Sequence, residues 1–314
     1  MNIELCAPPA REAKRRRLTR GARRQLAGIL FELPLILGLI IFTAYPVAES
    51  LRLSLYRYNG FDTNVFNGFN NFKYMFANES QVKEVLRVFG NTFIYCFVSV
   101  PLSLFLSYFL AMPLNKNFKG VGVFRLLIYL PVIIPSVVSA LLYKDIFDVT
   151  YGVMNQIFGG LGLPQGTFFS HRSTAMATLI WAGMWNLGGG MILWLSAFKN
   201  IPASLYESAK IDGANPLRRT LAITLPMSTP MIFYNLVMNL INSMQIFNSM
   251  MITGGDGEGP EQSLYFIAVK IYNEAFQFFR MGYAAALSWI LFLVVGLLTV
   301  VVFATSKWVF YGDE

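Results

Sequence analysis

Apolar residues form six long stretches that contain no charged side chain, and shorter polar segments separate them. The charge-free stretches cover residues 33–48, 88–115, 126–143, 173–198, 220–255 and 281–306. A membrane-spanning helix needs about 20 mainly apolar residues, with some tolerance for tilt and for polar groups at its ends. We therefore predict six transmembrane helices, over residues 26–50, 88–114, 123–146, 173–198, 226–252 and 281–306.

Two local features refine the second and third predicted spans. The polar connection between them is only residues 116–122, which is short enough to make the two spans an antiparallel hairpin. Pro131 and Pro135 lie inside the third span. Each proline removes a backbone donor and disturbs the turn before it, so we predict that this span is kinked.

The composition agrees with the pattern. The chain has 314 residues, of which 55% are hydrophobic and 13% charged, and its mean hydropathy is +0.51. These values are typical of a membrane protein and not of a soluble domain of this length. We therefore predict an all-α integral membrane protein. Glu32 interrupts the first apolar run, and we expect its carboxylate to reach the nearby membrane surface.

Basic residues mark one side of the predicted spans. Eight Lys and Arg residues lie between positions 11 and 24, just before the first span. Loops rich in Lys and Arg stay in the cytoplasm, so the N-terminus is predicted to be cytoplasmic, and six spans return the C-terminus to the same side. The same alternation places these basic residues on the cytoplasmic side: Lys116, Lys119, Arg125, Lys199, Lys210, Arg218, Arg219 and Lys307.

Residues 1–25 form a basic arm. A basic arm is also typical of proteins that bind nucleic acid. This arm directly adjoins an apolar span, however, and contact with anionic membrane lipid explains it better. We expect a membrane lipid partner and no nucleic-acid partner.

A polar segment at residues 200–226 connects the fourth and fifth spans and contains helix signals. Ser204 and Glu207 have the spacing of a capping box, which predicts a helix over residues 205–212. Gly213 suits the positive φ that ends a helix. Asn215 then caps a second helix that begins at Pro216. We predict two short helices joined at a glycine corner on the cytoplasmic side.

The same segment resembles the cytoplasmic coupling loop of permease subunits from binding-protein-dependent ABC importers. The matching residues are Glu207, Ala209, Asp212, Gly213, Ala214, Ile223, Leu225 and Pro226, whereas Ser208 and Thr220 depart from the family pattern. Further similarity at residues 91–92, 124–131, 253–260, 271–276, 282–286 and 307–311 points to the carbohydrate-uptake, maltose-type branch of the family. The resemblance covers residues 26–311, which we take as one permease domain.

The resemblance implies a type I ABC importer permease fold in a bacterial inner membrane. It also implies that the loop docks into a groove on an ABC ATPase dimer. Glu207 and Asp212 would make polar contacts there, Gly213 would set the angle before Pro216, and Ala209 and Ala214 would keep the approach close. Further implied partners are a second homologous permease subunit and an extracytoplasmic solute-binding protein.

The sequence contains no G-x-x-x-x-G-K-[S/T] phosphate-binding loop. We therefore expect this chain to bind no cofactor and to be no enzyme, with ATP and Mg²⁺ held by the separate ATPase subunit. A stand-alone secondary transporter or channel would need carboxylates or a charged ring inside the spans. An intramembrane enzyme would need a catalytic motif. The sequence fits neither class.

Carboxamide side chains give the fifth span an unusual polar stripe. Asn235, Asn239, Asn242 and Ser249 share one helical face, and Ser243 and Gln245 flank it. Such groups pair well with sugar hydroxyls, although each one alone is more simply explained by bonding between helices. The family's sugar site lies in the spans on either side of the loop. The resemblance therefore favours a path for a sugar or oligosaccharide, with a glycerol-phosphate ester as the alternative solute.

The fourth span adds further candidates for this path. Trp181 and Trp185 offer aromatic faces for a sugar ring, and Asn186 offers a carboxamide. Gly188, Gly189 and Gly190 leave room for close approach, and helix packing explains them equally well. From these we select Trp185, Asn186 and Gly189 as path residues, together with Asn239, Asn242, Ser243 and Gln245 of the fifth span.

Overall fold

The computed structural model describes residues 20–62 and 64–310, without the side chains of residues 20 and 22–27. Most of the predicted basic arm, at residues 1–19, lies outside the described residues. The described residues divide into two compact units, with the boundary between Arg52 and Leu53.

The first unit is helical throughout its described part. Helix α1 covers Arg20–Leu39, a π-helical turn covers Ile40–Ala44, and α2 covers Tyr45–Ser54, whose last two residues belong to the second unit. The π-helical turn ends two positions before Pro46, which has no N–H to donate to the turn before it. Residues 28–54 are long and apolar enough to cross a membrane, and an 18-residue stretch within them has a mean hydropathy of 2.0.

The second unit begins with a small β-hairpin, which the sequence pattern did not predict within the helical fold. Strand β1, Tyr56–Tyr58, pairs antiparallel with β2, Asn64–Phe66. Residues outside the hairpin hold it in place. The Asn71 side chain, in helix α3 (Asn70–Tyr74), donates hydrogen bonds of 2.7 and 2.8 Å to the carbonyls of Ser54 and Tyr56. A Cβ at Gly282 would lie 2.0 Å from the Tyr56 oxygen.

A 36-residue helix, α4 (Glu79–Leu114), forms the centre of the unit. The Asn78 side chain caps it by accepting from the N–H of Gln81 at 2.9 Å. Helix α5 (Val121–Ile133) follows after a short connection, and the Arg125 guanidinium donates to the Leu114 carbonyl at 2.5 and 3.1 Å, so the two helices contact each other where they are joined. The predicted kink is confirmed: α6 (Ser136–Ile146) bends from α5 by 100° after the two prolines.

The predicted fourth span is also a bent pair of helices. After the short helix α7 (Val153–Gly160), α8 covers Arg172–Gly183, a 3-10 turn covers Met184–Asn186, and α9 covers Gly188–Lys199. The bend between the two longer helices is 47°. A Cβ at Gly188 would lie 2.3 Å from the Ile128 carbonyl oxygen, so close packing on α5 requires glycine there.

The loop and the fifth span follow as a chain of short helices leading to a long one. They are α10 (Ala203–Ile211), α11 (Pro216–Arg219), a π-helical turn (Thr220–Thr224), α12 (Leu225–Met227) and α13 (Thr229–Met244). Residues 216–227 and α13 meet at an angle of 64°. Helix α13 ends at Met244, before the end of the span predicted over residues 226–252. Gln245, at φ −108° and ψ 21°, leaves helical geometry.

The last part of the chain contains α14 (Ser249–Thr253), α15 (Ile267–Tyr272), a π-helical turn (Asn273–Gln277) and α16 (Met281–Ala304). Within residues 20–62 and 64–310, three unbroken helical segments can cross a membrane by length and composition. They are residues 28–54, α4 and α16. Three bent pairs raise the number to six if each pair is one span.

Helix α4 packs against α9 and α13 through small and aromatic side chains. Trp194 is almost fully buried, and its indole N–H donates to the Ser107 hydroxyl at 2.9 Å. The Tyr108 ring meets the rings of Trp194 and Phe198 edge to face, each at 5.3 Å. A Cβ at Gly190 would lie 3.3 Å from Ser107, so glycine permits this close approach.

Candidate functional site

The 200–226 loop forms the predicted glycine corner. Gly213 has φ +72°, and a Cβ there would meet no atom within 4 Å, so backbone conformation and not space demands glycine. The Ala214 N–H donates to the Ala209 carbonyl at 2.9 Å, and the Gly213 N–H donates to the Lys210 carbonyl at 3.1 Å. This pair of bonds is a Schellman motif, which satisfies the last carbonyls of α10.

The second helix of the loop also begins as predicted. The Asn215 side chain accepts a 2.7 Å hydrogen bond from the N–H of Arg218, and Pro216 occupies the first helical position. The Tyr206 hydroxyl lies 2.9 Å from the Thr224 hydroxyl. This contact ties α10 to the π-helical turn that leads into the fifth span.

The predicted capping box at Ser204 and Glu207 is wrong. Helix α10 starts at Ala203, and its N-cap residue is Pro202, with no side-chain cap. Pro202, at φ −56° and ψ 130°, stands just outside the helix, so Ser204 already lies inside the first turn. Glu207 is consequently an exposed side chain on a helix surface and not a cap.

Four of the six selected loop residues are exposed: Glu207, Asp212, Gly213 and Pro216, while Ala209 and Ala214 are half-buried. Two large apolar residues that the sequence reasoning missed lie on either side of the corner. Ile211 is 88% exposed and Leu217 is 67% exposed. The sequence did indicate them, because isolated aliphatic side chains stand out in a strongly polar segment.

A cavity of about 460 Å³ lies between the helices and gathers five of the selected path residues. They come from the turn after α8 and from the end of α13: Asn186, Asn239, Asn242, Ser243 and Gln245. Among the residues that the structure describes, none of those lining this cavity is charged. The cavity offers hydroxyl and carboxamide groups to a polar, uncharged ligand.

The other side of this cavity contains residues that the sequence reasoning missed. Tyr95, Ser99 and Ser103 of α4 line it, and so does Ser136 at the start of α6. The α4 residues are spaced four apart along a largely apolar helix, so they share one face. That spacing was a readable signal of a polar face directed at the cavity.

Two selected residues lie elsewhere. Trp185 lines a separate, mainly apolar cavity of about 310 Å³ together with Trp181 and Tyr143. Gly189 does not line the polar cavity, and a Cβ there would lie 3.8 Å from Val132. The turn at residues 184–186 causes the difference, because it directs Asn186 and Trp185 to different cavities.

The polar stripe of the fifth span is also divided. Asn235 is 4% exposed, and its amide donates to the Met231 carbonyl of its own helix at 2.9 Å. Ser249 is fully buried on α14, beyond the end of α13. The predicted single stripe assumed an unbroken helix, and the break at Met244 separates Ser249 from the asparagines.

A family model and two relatives that match this chain are all described as components of transport systems. Residues 99–310 match the family model described as "Binding-protein-dependent transport system inner membrane component". The chain is 38% identical to the probable ABC transporter permease protein YesP of Bacillus subtilis (strain 168), covering 92% of this chain and 93% of that one. It is 32% identical to the lactose transport system permease protein LacF of Rhizobium radiobacter, covering 89% and 94%.

A solved structure has the same fold. One chain of a bacterial alginate ABC transporter, in complex with an alginate pentasaccharide-bound periplasmic protein, matches with a TM-score of 0.78 and 23% identity. The match covers 93% of this chain and 97% of that one. At this identity the likeness shows the fold alone.

Proposed function

Because this chain belongs to the family of inner membrane components of binding-protein-dependent transport systems, we infer that it is the permease subunit of an ABC importer for a sugar or oligosaccharide. One structural relationship carries the proposal. Helix α13 begins three residues after the 200–226 loop, and its far end contributes Asn239, Asn242 and Ser243 to the polar cavity. A movement of the loop would therefore reach the cavity through a single helix.

The chemistry of the cavity supports a neutral saccharide. Carboxamides and hydroxyls both donate and accept hydrogen bonds, as sugar hydroxyls do. A relative, LacF, is named as a lactose permease. The alternative solute, a glycerol-phosphate ester, carries a negative charge that the described residues lining the cavity leave uncompensated, and burying such a charge without a partner is costly.

The loop supports coupling to a separate ATPase dimer that binds ATP and Mg²⁺. Glu207 and Asp212 are available for polar contacts with that subunit. Ile211 and Leu217 would add apolar contacts that leave water on docking. ATP binding closes the ATPase dimer, the loop follows it, and the cavity opens to the outside. Coupling of this kind is reciprocal in binding free energy, so substrate delivery also favours ATPase closure.

The proposed membrane arrangement has six spans, with both termini in the cytoplasm of a bacterium. Each bent helix pair then counts as one span. A second homologous permease completes the pathway. An extracytoplasmic binding protein delivers the solute, as the complex of the alginate transporter illustrates for that protein.

Reconstitution tests this function. The chain, assembled with its permease, ATPase and binding-protein partners in proteoliposomes, is supplied with lactose, trehalose and maltose in turn. We expect uptake of at least one of these sugars that requires ATP and the binding protein. Uptake driven by an ion gradient without ATP would identify a secondary transporter instead.

A further inference from the structure

A second polar cavity lies outside the helical core, where the β-hairpin meets the start of α16. Its volume is about 500 Å³, within the range of about 300–1,000 Å³ that is usual for small-molecule sites. The hairpin, α3 and the segment before α16 form its walls. In the proposed topology this cavity faces the extracytoplasmic side, because it lies between the first and second spans and before the last one.

The walls of this cavity are held in place by specific contacts. Asn71 ties α3 to the hairpin, and Gly282 lets the backbone of β1 lie against α16. The Arg280 guanidinium lies 3.2 Å from the Tyr74 hydroxyl and 3.0 Å from the Glu274 carboxylate. The shape is therefore built by the fold before any ligand arrives.

The lining groups suit a sugar ring. Tyr58, Tyr74 and Phe279 supply aromatic surface, while Asn67 and Asn70 supply carboxamides. The same classes of groups line the cavity between the helices.

Tyr283 also lines the cavity and is only 4% exposed. Its hydroxyl is enclosed by protein and is not accessible to a ligand, so Tyr283 contributes ring surface.

The charges near the cavity favour a neutral ligand over an anion. Glu274 already balances Arg280, and Asp62 accepts a 2.7 Å hydrogen bond from Asn59 beside the cavity. Arg57 is exposed at the rim, where water and salt screen its charge. Its guanidinium can instead donate to a pair of neighbouring sugar hydroxyls.

We propose that this cavity is an extracytoplasmic subsite for a neutral saccharide, distinct from the cavity between the helices. The inference rests on the proposed importer function and its topology. It places Arg57 in direct contact with sugar hydroxyls and Tyr58 against a sugar face.

Saturation-transfer NMR on the assembled complex, without the binding protein, tests the subsite. The probe is whichever of lactose, trehalose and maltose the wild-type complex takes up. Asn239→Leu/Asn242→Leu serves as the background, because it removes the candidate contacts between the helices. In that background we expect Arg57→Ala to weaken probe binding by roughly threefold to tenfold, as expected for the loss of one hydrogen bond. We expect Tyr58→Ala to weaken binding by a similar factor, through the loss of an aromatic contact. Lys73→Ala, which removes an exposed charge from α3 outside the cavity, should leave binding unchanged.

Three results would overturn the subsite. Unchanged probe binding in both cavity variants would show that the sugar does not contact these residues. Stronger binding of D-galacturonate than of D-galactose would contradict a neutral ligand. If the cavity variants lose docking of the binding protein but still bind the probe, the cavity is a protein-docking surface. Absence of ATP-dependent uptake by the wild-type complex would instead contradict the proposed function, so the two failures are distinguishable.

Discussion

The Lys270 ammonium lies 2.7 Å from the Glu84 carboxylate, although the two residues are 186 positions apart in the chain. Lys270 is 0% exposed and also lies 3.2 Å from Glu274, one helical turn later. Glu274 in turn pairs with Arg280. These ion pairs join the start of α4 to α15 and to the segment before α16, next to the cavity at the β-hairpin.

Replacing Lys270 with Met should destabilise the second unit strongly. The change leaves the Glu274 carboxylate buried without its lysine, and breaking a buried ion pair costs about 3–5 kcal/mol. We expect the lower end of that range, because Glu84 is partly exposed. The measurement is the temperature at which half of the purified complex loses its monodisperse state.

Two further variants separate charge from packing at this position. Lys270→Met/Glu274→Gln should recover part of the lost stability, because it also removes the buried charge. Lys73→Met, at an exposed site, should change nothing. Equal losses for the single and double variants at position 270 would show that the ion pairs contribute little.

Gly213→Pro should abolish uptake and substrate-stimulated ATP hydrolysis while leaving membrane insertion intact. Proline holds φ near −65°, whereas Gly213 has φ +72°, and proline also removes the N–H that bonds to Lys210. Gly213→Asn is the matched variant, because asparagine tolerates positive φ. It should retain most uptake. Normal uptake by the proline variant would remove the loop from the coupling mechanism.

Asn239→Leu together with Asn242→Leu should change the transported solute or abolish transport, without loss of complex assembly. Both residues line the cavity between the helices. Asn235→Leu is the control, because that buried side chain bonds to its own helix and lies outside the cavity. It should affect stability and not selectivity. Collapse of assembly in the double variant, with unchanged selectivity of the residual activity, would favour a purely structural role.

Ile211→Ser and Leu217→Ser should each weaken association with the ATPase subunit. Full burial of a large aliphatic side chain contributes about 1.5–3 kcal/mol, so we expect affinity to fall roughly tenfold to hundredfold. The equilibrium binding of purified ATPase to the reconstituted permease provides the measurement. Val65→Ser, an equally apolar change on the exposed hairpin, is the control. Unaltered affinity in both loop variants would show that the loop binds the ATPase subunit through polar contacts alone.

Much of the loop was predictable from local sequence, and the cavity was predictable only in part. Asn215, Pro216 and Gly213 act through hydrogen bonds and dihedral angles within a few residues, so their roles are visible without the fold. Asn239 and Asn242 could be found from helical periodicity. Trp185 was misplaced, because a 3-10 turn after α8 changed the direction of its side chain.

The sequence by itself determined that apolar helices dominate this protein, and it determined the glycine corner and the cap of the second loop helix. Those features follow from residue composition and from interactions between near neighbours. Only the tertiary structure decided where α13 ends, that Asn235 lies outside the cavity, that a β-hairpin lies against Gly282, and that Lys270 is buried between two carboxylates. Each of these depends on contacts between segments far apart in the chain, which no local pattern records.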